Sequence, residues 1–272
     1  MRAWILGLLA LPFSVFANER VISIGGDVTE IIYALGAQQA LVARDSTSQQ
    51  PLQATELPNI GYMRQLNAEG ILALKPTLVI ASELAQPSLV LQQLEQVGIT
   101  VVTVTGKPAL SVINEKIAVI ATALGREKEG QVLQSKLARQ LDAVPTHPLP
   151  IRILFIMAHT GISAMGAGKG TAADGAIRST GLQNAMANVT RYQLLTQEGL
   201  IAAAPQLLVI GKGSLRRLGG EVNLWKLPGL AFTPAGKQRH LLVIDDSALL
   251  NFGLAMPAAM SQLRQAAQTI VP

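Results

Sequence analysis

Two kinds of apolar pattern alternate along the chain. Residues 20–24, 40–43, 77–81 and 100–104 are short runs that are apolar almost throughout. Runs of this length and composition suit strands buried on both faces. Between them, residues 28–35, 67–74, 87–97 and 110–124 place apolar side chains at helical spacing. Gly36 and Gly98 stand where helices end, and Asp27 with Glu30 three positions on reads as a helix start. Strands alternating with helices imply βα units and a mainly parallel sheet.

Residues 127–144 predict one further helix, with Leu133, Leu137 and Leu141 on a single face. Pro145, Pro148 and Pro150 then break the chain. The boundary between two lobes is expected here, giving lobes at 18–126 and 146–272 joined by a helical connector at 127–145. Strands are expected at 151–157 and 241–245, and helices at 171–178, 182–187 and 257–270. A segment of the first half recurs in the second. Leu66, Glu69, Gly70, Ala73, Pro76 and Leu78 return as Leu195, Glu198, Gly199, Ala202, Pro205 and Leu207 at one constant offset. Each copy precedes an apolar run. The expected fold is therefore α/β, with two similar lobes, one long bridging helix, and a ligand cleft between them beyond the strand ends.

Composition narrows the function. The chain has 272 residues, of which 49% are hydrophobic and 14% charged, so it can bury a full core. Part of the apolar content lies in residues 1–17, where Arg2 precedes an apolar stretch ending in Val15-Phe16-Ala17. That is the form of a secretory signal, and the mature chain would begin near Asn18. There is no cysteine, which excludes disulfides, thiolate metal sites and a lipidated N-terminal cysteine. The net charge of +5 contains no Lys/Arg run of the kind that marks a nucleic-acid surface.

Candidate chemistry is sparse. Gly166-Ala-Gly168-Lys169-Gly170-Thr171 suggests a phosphate loop, but a glycine follows the lysine where that loop needs Ser or Thr. It reads instead as a flexible loop at the cleft mouth. No Gly-x-Ser-x-Gly elbow or His-Glu-x-x-His helix is present, so a secreted enzyme has no support. Tyr62 and Arg64 sit two apart in a loop, joining a phenol to a guanidinium. From spacing alone, an ordinary loop tyrosine beside a solvated arginine reads equally well. His159 follows the strand at 151–157 and should face the cleft; a hydrogen-bonded strand-end histidine is the alternative. Tyr192 lies near the repeat equivalent of Tyr62 and reads first as structural. Met157 reads as core, and His147 and His240 as structural.

The stretch 25–36, Gly-Gly-Asp-Val-Thr-Glu-Ile-Ile-Tyr-Ala-Leu-Gly, and the stretch 61–66, Gly-Tyr-Met-Arg-Gln-Leu, carry a resemblance. With the export signal and the bridging helix, they resemble the helix-linked periplasmic binding proteins of ABC importers, and within these the haem-binding branch. The resemblance covers nearly the whole mature chain. It implies a periplasmic carrier that takes hemin, one or two haems per chain, to an ABC permease and its ATPase subunits. An outer-membrane haem receptor system would act upstream, and the carrier would be a monomer without enzymatic activity. A carrier of ferric siderophore or cobalamin is the alternative. Tyr62 then becomes the axial iron ligand, a hard anionic oxygen for a hard cation. Arg64 hydrogen-bonds that phenolate or pairs with a propionate. The resemblance does not require His159; its strand-end position and imidazole make it a candidate second iron ligand, of the same haem or of a stacked partner. By position alone, Lys169 is a candidate propionate contact and Met165 and Arg178 are candidate pocket residues, although Met165, like Met157, reads first as core. Glu83 and Glu221 are the acids that meet the permease, one on each lobe.

Overall fold

The computed structural model describes residues 19–158 and 164–271. The expected signal segment and His159 lie outside them. The first lobe runs β1 (Val21–Ile24), α1 (Gly26–Ala34), β2 (Leu41–Arg44), α2 (Ala68–Leu72), β3 (Leu78–Ser82), α3 (Ser88–Gln96), β4 (Thr100–Val104) and α4 (Ser111–Ala123). After α5 (Glu127–Asp142), the second runs β5 (Arg152–Met157), β6 (Met165–Ala167), α6 (Ala172–Ser179), β7 (Gln183–Asn184), β8 (Tyr192–Leu194), α7 (Gln197–Ala203) and β9 (Leu207–Gly211). It closes with α8 (Lys212–Arg217), α9 (Glu221–Leu224), α10 (Pro234–Gln238), β10 (Leu241–Ile244), α11 (Asp246–Leu250) and α12 (Met256–Gln268).

The first sheet is wholly parallel, in the order β2-β1-β3-β4. The second has the order β10-β9-β5-β6-β8, with β7 beside β5. Its β10-β9-β5 half is parallel, and β6 and β8 add antiparallel strands. The central strands β1, β3 and β9 are buried along their whole length, as their apolar runs require. The connector α5 spans roughly 24 Å at 1.5 Å per residue. It lies along α4, where Gly130 lets it approach Ala121, and it also touches α12. Leu137 is buried, with Leu133 and Leu141 packed beside it on the same face. One core cluster therefore runs from β1 and α1 through α4 and α5 into β5, α6 and α12.

The repeat is legible in backbone detail. α2 and α7 begin at Asn67 and Thr196, whose side chains cap them. They bury Ile71 and Leu200 on the sheets. Both copies then pass a left-handed residue, Lys75 or Ala204, just before the proline. An arginine at the head of the lobe's first long strand caps each helix end. Arg20 donates to Leu74 and Lys75 carbonyls, and Arg152 to that of Ala204. Two lobes thus use one βαβ device, which accounts for the matched residues.

Three expectations are corrected. Residues 182–187 are not helical: β7 pairs beside β5, because Gln183 and Ala185 N–H groups donate to Ile151 and Ile153. The glycine-rich stretch is not a flexible loop, since β6 pairs on both sides and Lys169 bridges to Thr190. Asp27 does not cap α1, which starts at Gly26 from Gly25. Its carboxylate is held instead by a buried lysine.

Candidate functional site

The loop after β2 is built to present a short turn. Arg44 N–H donates to Pro58 C=O, Ile60 N–H to Arg44 C=O, and Ser46 N–H to Gly61 C=O. This returns the loop alongside β2. Asn59 Oδ1 accepts from Gly61 N–H at 2.9 Å, and Gly61 takes φ of 95°, a conformation that favours glycine. The chain then turns over residues 62–65, closed by Gln65 N–H to Tyr62 C=O. Met63 is buried and anchors the turn. Its carbonyl accepts from Gln86 N–H at 2.7 Å, and Leu66 N–H donates back to Gln86 C=O. Anchoring Met63 leaves Tyr62 and Arg64, its two neighbours, on the open side.

Beneath the turn lies a polar hub built on one carboxylate. Asp45 is fully buried. Its carboxylate accepts from Gly25 N–H, Thr47 N–H, Thr47 Oγ1 and Ser48 Oγ. The Ser48 hydroxyl meets Thr29, and Thr29 meets Ser23. Four hydrogen bonds to one carboxylate fix the loop to the start of α1.

Both lobes contribute to a cavity of about 540 Å³, within the usual size range of small-molecule sites. Tyr62, Arg64, Leu84 and Pro108 line it from the first lobe, and Met157, Tyr192 and Phe252 from the second. Tyr62 is 42% exposed. Among the described residues, the Tyr62 hydroxyl, the Arg64 guanidinium and the Tyr192 hydroxyl make no hydrogen bond to protein. Burial pushes the Tyr192 phenol up to about 12, with Arg64 opposing that shift. The two side chains line the same cavity from opposite lobes.

At its floor, Lys116 of α4 is almost wholly buried. Its Nζ lies 2.6 Å from Asp27 Oδ2, and also donates to the carbonyls of Asn251 and Phe252 at 2.9 and 3.2 Å. One ammonium thus joins α1 and α4 of the first lobe to the segment after α11 in the second. On the far side of this tie is a cavity of about 830 Å³ lined by Glu30, Tyr33, Lys212 and Asp245.

Burial, then the nearby Asp27 charge, raise Glu30 to about 7. A free glutamate titrates near 4.3. The native state therefore holds a proton that the unfolded state loses between these values. Stability should fall by about 3 kcal/mol as pH rises from roughly 4.5 to 7, then level off. Glu30→Gln removes this penalty. Thermal melts should show the variant gaining on wild type at pH 8 and not at pH 4; equal gains at both would overturn the assignment.

The structure places the remaining candidates apart from the cleft lining. Met165 is half-buried in β6 opposite Met157. Lys169 is exposed at its bridge to Thr190. Arg178 is exposed and pairs with Asp174 at 3.2 Å. None of the three lines the 540 Å³ cavity. Glu83 is exposed after β3 and accepts from Gly106 N–H at 2.7 Å. Glu221 is exposed in the first turn of α9, by a surface hollow with Trp225 and Arg239. His147 accepts Arg264 of α12 at its carbonyl, 2.7 Å away, and His240 Nδ1 meets Gln206 C=O at 3.1 Å. Sequence reading missed Asp45 and Lys116, which bear no local motif.

Three comparisons bear on this site. The periplasmic binding protein family model matches residues 21–248. The periplasmic heme-binding protein RhuT from Roseiflexus sp. RS-1, in apo form, is 37% identical. The match covers 92% of this chain and 99% of that one, with a TM-score of 0.85. The periplasmic heme-binding protein BhuT in complex with two hemes is also 37% identical over 93% and 98% of the chains, with a TM-score of 0.86. A vitamin B12-binding protein of Pectobacterium atrosepticum is 26% identical over 82% of each chain.

Proposed function

The chain belongs to the periplasmic binding protein family, and from that premise we propose that it binds haem in the interlobe cavity and delivers it to an ABC importer. The observation that carries this is Tyr62 beside Arg64, two polar groups without a hydrogen-bond partner among the described residues, facing one cavity that both lobes line. A phenolate is a hard oxygen ligand for ferric iron, and the guanidinium beside it can donate hydrogen bonds to that oxygen or to a carboxylate of the ligand. The likeness to two haem-binding proteins at 37% identity supports the same ligand. The family consists of binding proteins, and the chain is read as a carrier without turnover.

The site reading goes further than the fold. Tyr62 is the iron ligand, and His159, two residues beyond the cavity-lining Met157, is a second ligand of the same or a stacked haem. We place the lobes at 18–126 and 146–272, with 127–145 as connector. Residues 1–17 direct export to the periplasm, and Glu83 and Glu221 meet the permease. Exposed acids of this kind act more on encounter and orientation than on affinity.

Spectral titration with hemin tests the function. Wild-type protein should shift and sharpen the Soret band to a defined endpoint, and that endpoint separates one haem from two. The B12-binding relative supports a second reading, a cobalamin carrier. Cobalamin that binds and displaces hemin, or protein that leaves the Soret band unchanged, would replace haem with that reading.

A further inference from the structure

The glycine-rich stretch that resembles a phosphate loop has a different use here. A Cβ at Gly168 would stand 2.5 Å from Val189 O and 2.7 Å from Arg191 O, closer than any side chain tolerates. Glycine at this position lets residues 189–191 lie directly on residues 168–169. Gly168 N–H donates to Arg191 C=O at 2.8 Å, and Arg191 N–H returns to Lys169 C=O at 3.0 Å. Arg191 itself is left-handed at φ 61°, a cost that these bonds offset. The next residue is Tyr192, the first of β8, paired with Ala167. The whole arrangement fixes where Tyr192 enters the cleft.

Its surroundings say what it does there. Tyr192 is half-buried, packed against the main core and lining the cavity. Its hydroxyl has no protein partner among the described residues. That oxygen is not a buried unpaired atom, so it is open to the cavity and available to a ligand. Arg64, likewise without a hydrogen bond among the described residues, lines the same cavity from the other lobe. Cation and hydroxyl donor converge on one space. Between them an anionic oxygen is matched, and a neutral group is not. Tyr62 differs, being on an exposed turn.

We propose that Tyr192 determines specificity for ligand carboxylate: its hydroxyl donates a hydrogen bond to a carboxylate of the bound porphyrin, shared across the cleft with Arg64. This rests on the haem reading above, and it divides the two tyrosines between iron and side group. Burial keeps the Tyr192 phenol protonated near neutrality, as a donor requires.

The test compares Tyr192→Phe with wild type, using hemin and hemin dimethyl ester, whose two carboxylates are blocked. Tyr192→Phe keeps the ring and its packing. It should bind hemin about tenfold more weakly, as expected for loss of a hydrogen bond to a charged group. Its Soret position should match wild type, and both proteins should bind the diester equally. An equal loss for hemin and diester would make Tyr192 a packing residue and overturn the proposal. A displaced Soret band would make it an iron ligand, with the same consequence. Unchanged hemin affinity would also overturn it, while the carrier function would stand. A wild-type protein that binds no hemin would overturn both.

Discussion

Tyr62→Ala should lose hemin binding by about 100-fold or more, at the upper end of what metal sites lose on removal of supporting groups. Its Soret spectrum should resemble that of free hemin. The expectation follows from the turn over residues 62–65. Met63 is its buried anchor, and Tyr62 lies on the open side with its hydroxyl making no hydrogen bond among the described residues. The substitution should therefore cost affinity without costing the fold. Tyr62→Phe separates the hydroxyl from the ring and should fail nearly as badly. Tight binding by Tyr62→Phe with a wild-type spectrum would remove Tyr62 as iron ligand. If Tyr62→Ala loses only part of the Soret change, a second ligand is acting, and His159→Ala identifies it.

Lys116→Met should be the most destabilising single change at the cleft. The ammonium is 1% exposed and its partner Asp27 7% exposed. Removing one member of such a pair leaves an uncompensated buried charge, at a cost of about 3–5 kcal/mol. It also strips the donor from the carbonyls of Asn251 and Phe252. Thermal melting should fall by roughly 10 °C in a chain of this size. Adding Asp27→Asn removes the stranded charge and should restore part of the loss. A single variant melting within about 2 °C of wild type would show that Lys116 does not hold the lobes.

Much of this was legible from the residues. Strand positions followed from runs that are apolar on both faces, and the two-lobe layout from six residues repeated at one offset. The repeat is informative because several of its positions have a local duty. The glutamate sits in the first turn of each helix, the proline follows the helix end, and the last leucine is buried in the strand beyond. Such duties are enforced within a few residues of chain. The helix expected at 182–187 failed for the opposite reason. That segment's conformation is set by β5, some thirty residues earlier, whose edge offers backbone hydrogen bonds. The antiparallel β6 and β8 were missed because each is only three residues long, too short to show an alternating pattern. Of the cavity lining, Tyr62 and Arg64 were singled out because they stand two apart in one loop. Tyr192 was seen but read as structural.

The sequence by itself determined the αβ succession, the duplication, the connector's apolar face and the Tyr62–Arg64 pair. All of these are encoded over separations of a few residues, where spacing translates directly into geometry. The tertiary structure alone decided what meets across the lobes. Lys116 reaches Asp27 across 89 positions and Asn251 across 135, and Arg64 faces Tyr192 from the other half of the chain. A buried charge or an unpaired hydroxyl acquires its meaning from what surrounds it, and those surroundings exist only once both sheets have packed on the shared core.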